Sequence, residues 1–196
     1  MNILFSRFRN LLLLLPLAGA VHAADLAEAK RLHYRGCEGD RPAAIRAERW
    51  LTELSAAAPA DPVIMAYLGS ARMLAAARAW QPLRKLELTK QGAALLDDAV
   101  AAAPDNLEIR FLRGASLYHL PAFFNKRAAA ETDFRWVVER LGTNQLEPAL
   151  AAAALYYDGL TRARHRDHES ARRAWQTAVA LAPDSKAGKD AAARLK

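Results

Sequence analysis

The chain has 196 residues, of which 53% are hydrophobic, and a single cysteine, so it is long enough to bury one domain core but cannot close an internal disulfide. Its 28 basic side chains outnumber 21 acidic ones, for a net charge of +7. That excess is too small and too dispersed to mark a nucleic-acid protein by itself, and the alanine-rich apolar fraction excludes a disordered chain.

The first residues carry an address. Arg7 and Arg9 precede an apolar run, Leu11 to Leu15 with Leu17, and small residues ending Val21, His22 and Ala23. A positive start, a short apolar core and a small-x-small site form a secretory signal peptide, expected to be cleaved after Ala23. Pro16 breaks the apolar run, which falls short of the roughly 20 residues of a spanning helix, so an anchor is not expected. The expectation is a periplasmic protein with one domain, residues 24–196. Cleavage removes Arg7 and Arg9 and lowers the charge to +5. Export argues against nucleic acid and leaves a protein face, an acidic polymer or anionic lipid as charge partners.

In chain order, apolar positions at helical spacing predict four antiparallel pairs. These are 25–35 with 41–57, 62–79 with 88–102, 106–119 with 126–141, and 147–164 with 168–182. A last helix begins near 185. Asp61 before Pro62 reads as an N-cap with proline at the first helical position, and Asp105 with Glu108 has capping-box spacing. The run Ala151 to Ala154 suits close-packed helices, and nothing alternates with period two, so the fold class is all-α with no sheet. Cys37 lies in a Gly-Cys-Glu-Gly turn, where its thiol is either free or links two chains.

A spacing recurs through these helices. Gly159, Ala171, Trp175, Ala178 and Pro183 follow at intervals of 12, 4, 3 and 5. Gly92, Leu96, Ala99 and Pro104 repeat its second half, as do Ala47, Leu51, Leu54 and Pro59. Ala130, Phe134 and Val137 repeat it with Gly142 in place of proline. Pro59 to Gly69 and Pro104 to Gly114 are both ten residues. This pattern resembles the tetratricopeptide repeat. The resemblance implies a short right-handed superhelix of about four helix pairs with a C-terminal capping helix. The first unit departs from the pattern, with Arg35 at the glycine position and Gly36 beside it. The last has Asp158 where leucine is usual. Longer gaps after Gly69 and Gly114 place insertions near 78–88 and 120–127.

The resemblance further implies a non-catalytic scaffold or adaptor that binds a protein or peptide, and it supplies two candidate surfaces. Positions set by the crossing glycines give a groove of Met73, Phe111, Tyr118, His119, Tyr156 and Arg164, edged by Arg72, Arg110 and Arg113; alternatively its large apolar residues are core. The insertions set Trp80 before Arg84 and Lys85, and Phe123 and Phe124 before Lys126 and Arg127. Stacked in register, these turns would lie side by side as a basic, aromatic ledge, able to meet an acidic peptide or an anionic envelope surface; alternatively the aromatics fold inward. His165, Asp167, His168 and Glu169 are closely spaced, but Arg164 and Arg166 oppose a cation, so no metal is expected. No phosphate loop or nucleophile motif is present, and neither an enzyme nor a cofactor is expected. Oligomeric state is not legible.

Overall fold

The computed structural model describes residues 15–142 and 146–196, with side chains from Ala23 onward. Among the described residues the chain forms nine α-helices and no strand. In order they are α1 (Leu15–Cys37), α2 (Arg41–Ala57), α3 (Pro62–Arg78), α4 (Pro82–Ala102), α5 (Leu107–Tyr118), α6 (Arg127–Val138), α7 (Pro148–Arg164), α8 (His168–Leu181) and α9 (Lys186–Arg194). A 3-10 turn at Ala122–Phe124 links α5 to α6. Residues 1–14, which carry the positive start of the expected signal peptide and Leu11 to Leu14 of its apolar core, lie outside the described residues. The helix α1 runs through the expected cleavage point at Ala23. No described helix is long and apolar enough to cross a membrane.

Helix starts follow local chemistry. The carboxylate of Asp61 accepts from the backbone N–H groups of Val63 and Ile64 at 2.8 and 3.1 Å, satisfying two donors that no helical carbonyl can reach. Asp40 caps α2 and Asp167 caps α8 in the same way. The expected capping box at Asp105 is corrected: Asn106 is the cap, accepting from Ile109 N at 3.1 Å. Glu108 is then free to leave the helix start and bond across the molecule.

The first helix of each pair packs on the next first helix, α1 on α3, α3 on α5 and α5 on α7, so these four form the inner row and their partners the outer one. Register positions lie at the centre of the packing. Ala47, Leu51, Leu96, Ala99, Ala130, Phe134, Val137, Ala171 and Ala178 are all fully buried. At the α5–α6 crossing a Cβ on Gly114 would stand 2.8 Å from the Phe134 ring, so only glycine admits that ring. In the first unit the close approach is made by Gly36 and not at Arg35, which is exposed; a Cβ on Gly36 would meet the Ala44 Cβ at 2.7 Å.

The first insertion is not a loop. It extends α4 back to Pro82, so that α4 begins six residues before the expected 88. Proline at the first helical position and the helix-forming run Leu-Arg-Lys-Leu-Glu explain why these residues wind as helix although residues 82–87 are all exposed. The second insertion closes in the 3-10 turn, stopped by Asn125 in the left-handed region at φ 50°.

Candidate partner-binding surface

The inner row encloses an open cavity of about 940 Å³, spanning from α1 to the N-terminal ends of α5 and α7. Its wall is wired. Glu108 Oε1 accepts from the Tyr67 hydroxyl at 2.6 Å, and its carboxylate receives Lys30 Nζ at 2.9 and 3.0 Å. The Tyr34 and Tyr67 hydroxyls bond to each other, and Lys30 Nζ lies 5.0 Å from the centre of the Tyr67 ring. Burial pushes both phenols up, so they stay neutral and serve as hydrogen-bond groups only.

Of the cations at the cavity, Lys30 is held by Glu108, Arg31 by Glu28 and Arg35 by Asp40. Glu38, Asp105 and Glu147 also line it, without such partners among the described residues. Leu107, Leu146 and Leu150 supply apolar lining. The lining therefore combines an apolar patch with charges of both signs, of which Glu38, Asp105 and Glu147 have no ion-pair partner among the described residues.

Behind Tyr34 lies a buried polar chain. His33 Nε2 is 3.1 Å from Ser70 Oγ, which accepts from Ser116 Oγ at 3.0 Å, and Cys37 Sγ lies 3.6 Å from the same imidazole nitrogen. His33 Nδ1 is buried without a partner among the described residues. Burial, aided by the nearby Arg78 charge, lowers the His33 pKa to about 4.

None of the six residues expected to form the groove lines this cavity. Met73, Phe111 and Tyr118 are buried in the core cluster. The Tyr118 ring meets Phe134 and Tyr157 edge-on, with Arg127 above it. His119 is exposed with Nε2 3.2 Å from the Tyr157 hydroxyl, Tyr156 is half-buried, and Arg164 is exposed. Arg110 and Arg113, expected at the groove edge, instead reach the fully buried Asp133 of α6. Arg113 grips it with two bonds of 2.7 and 2.8 Å, and Arg110 adds one of 3.2 Å. The Arg110 and Arg140 guanidiniums lie 4.3 and 4.2 Å from the centre of the Trp136 ring, and Arg110, which comes from α5, braces that helix to α6.

The insertion residues divide. Trp80 and Phe123 stand exposed at 86% and 78%, while Phe124 is half-buried against Phe123. The two turns do not adjoin as expected. Lys126 Nζ bonds Asp97 of α4 at 2.8 Å, and Asp97 is twelve residues beyond Lys85, about 18 Å along the helix axis. The extra helix at the start of α4 is what carries Arg84 and Lys85 away from Lys126. Arg84 pairs with Glu87, and Arg127 turns onto Tyr118. His165 pairs with Glu131 of α6 at 3.0 Å, while His168 opens α8.

Sequence reasoning missed Lys30, Tyr34, Tyr67 and Glu108. One signal was available: Tyr34, Tyr67 and Tyr157 each stand two residues before Gly36, Gly69 and Gly159. That repeat places tyrosines at one register position of the inner row. The join from Lys30 to Glu108, 78 residues apart, has no sequence signature.

No protein-family model matches the chain, and no curated protein sequence matches it. Among solved structures it is similar to the crystal structure of a thermophilic tetratricopeptide-repeat protein from Thermus thermophilus, at 19% identity and a TM-score of 0.59, covering 92% of this chain and 86% of that one. Identity at that level speaks to architecture alone. With its helix pairs stacked in an inner and an outer row, the chain has a tetratricopeptide-repeat-like fold.

Proposed function

We propose that this protein is a non-catalytic protein-interaction module, a scaffold or adaptor of the bacterial periplasm, that receives a protein or peptide in the inner cavity. The observation carrying this reading is the open cavity of about 940 Å³ on the inner row, with its leucine patch and the carboxylates of Glu38, Asp105 and Glu147. Hydroxyls and charges locked into the Lys30–Glu108–Tyr67–Tyr34 chain hold its wall in one geometry, which lowers the ordering cost of binding. The periplasmic address rests on the residues before Ala23.

Capture from periplasmic extract tests the role. Glu147→Arg with Glu38→Arg should release the partner while leaving the fold intact, since both residues are exposed. Retention of every captured protein by that double variant would refute the cavity as the site. Mass measurement of protein from the periplasm should find residue 24 at the N-terminus; an intact Met1 would refute export. A peripheral binder of an anionic envelope surface is the rival, favoured by the exposure of Trp80 and Phe123. The separation of Lys85 from Lys126 weakens it, because the two basic ends do not make one ledge.

A further inference from the structure

Six large apolar side chains stand exposed among the described residues, and four of them are Ile45 of α2, Trp80 of the turn between α3 and α4, and Leu83 and Leu86 at the beginning of α4. Ile45 and Trp80 face a recess of about 310 Å³ whose other lining includes Ala44, Ala71, Ala75 and Ala79. Small side chains leave a shallow floor and the two large ones form walls. Leu83 and Leu86, three residues apart on the exposed extension of α4, share one helix face outside the recess lining. Apolar side chains scattered singly need no explanation, but a cluster rimmed by charge marks an interaction surface.

The rim has a sign. Arg41, Arg78 and Arg84 border the recess against one carboxylate, Glu48. Arg41 has no carboxylate partner among the described residues. The Arg78 guanidinium donates to the neutral Gly36 carbonyl at 2.7 Å, so its charge is not cancelled. Arg84 pairs with Glu87, but both side chains are about half exposed and the pair can exchange for another carboxylate.

We propose that this corner is a second docking surface, independent of the inner cavity, which takes an acidic segment of a protein partner carrying one bulky apolar side chain. That side chain enters between Ile45 and Trp80 over the alanine floor, and flanking carboxylates meet Arg41, Arg78 and Arg84. A concave recess walled by Ile45 and Trp80 over an alanine floor suits a protruding side chain better than it suits a flat anionic bilayer.

The experiment uses the exported full chain and a fluorescein-labelled short peptide of glutamates around one central phenylalanine, read by anisotropy. Control peptides replace that phenylalanine with alanine, or the glutamates with lysine. The proposal expects the first peptide to bind, each control to bind roughly tenfold more weakly, and Trp80→Ala or Arg41→Glu to cost roughly tenfold with an unchanged melting temperature. Glu147→Arg, at the inner cavity, should leave this binding intact, so failure of one site is distinguishable from failure of the other. No binding of the glutamate peptide, equal binding of the lysine peptide, or indifference to Trp80→Ala would overturn the proposal. So would Trp80-dependent flotation with phosphatidylglycerol vesicles in the absence of peptide binding, which assigns the corner to a membrane surface.

Discussion

The inner cavity and the corner at Trp80 are built from the same repeat, yet they use their side chains in opposite ways. At the cavity, polar groups are tied to one another: Glu108 satisfies both Tyr67 and Lys30, and Tyr67 is fully buried. At the corner, apolar groups are left in water and the arginines lack strong partners among the described residues. The difference comes from position in the stack. Inner-row helices pack on one another and must pair their polar atoms, whereas residues 82–87 at the extended start of α4 are exposed among the described residues.

This contrast can be broken by measurement, and the largest effect is expected inside. Tyr67→Ala should cost about 3 to 5 kcal/mol, because it empties a fully buried ring site and frees Glu108 and Tyr34 from their bonds. Denaturant unfolding followed by circular dichroism checks this, and a loss below about 1 kcal/mol would mean that the inner wall is not packed as described.

Acid should sharpen the contrast next. The folded His33 pKa lies near 4, below its ordinary 6.5, so the unfolded chain takes up a proton first as pH falls. The stabilisation from keeping this imidazole neutral is complete above about pH 6.5 and is lost progressively between 6.5 and 4, by about 3 kcal/mol in all. Thermal melts across that window should show the decline, and His33→Gln should flatten it. An unchanged slope in the variant would remove His33 as the cause.

The smallest effect is expected at the corner. Trp80→Ala should change stability by no more than about 0.5 kcal/mol, since the ring is 86% exposed and has little packing to lose. A melting temperature lowered as much as by Tyr67→Ala would make the corner a part of the core and erase the distinction between the two regions.

The repeat was legible because it is written in sizes. Glycine or alanine where helices cross and large residues between them specify which positions are buried, and Leu51, Leu96 and Phe134 are at the centre of the packing for that reason. Helix ends were readable where one residue carries the cap, as at Asp61, and were misread at Asp105, where the neighbouring Asn106 competes for the same donors. Gly36 rather than the aligned Arg35 makes the first crossing, since steric room overrides a count of residues.

The site was far less legible. Family offsets pointed to Met73, Phe111 and Tyr118, but those side chains pack in the core. Arg110 and Arg113 read as surface charge until the fold supplied Asp133 within reach on α6. Sequence by itself determined the helices, their pairing and the class of fold, because propensity, capping and size periodicity act over a few residues or at a repeated interval. Tertiary structure alone decided which charges are spent, which apolar groups remain exposed and where a cavity opens. Those outcomes depend on contacts such as Lys30 with Glu108, made between residues that the chain order leaves far apart.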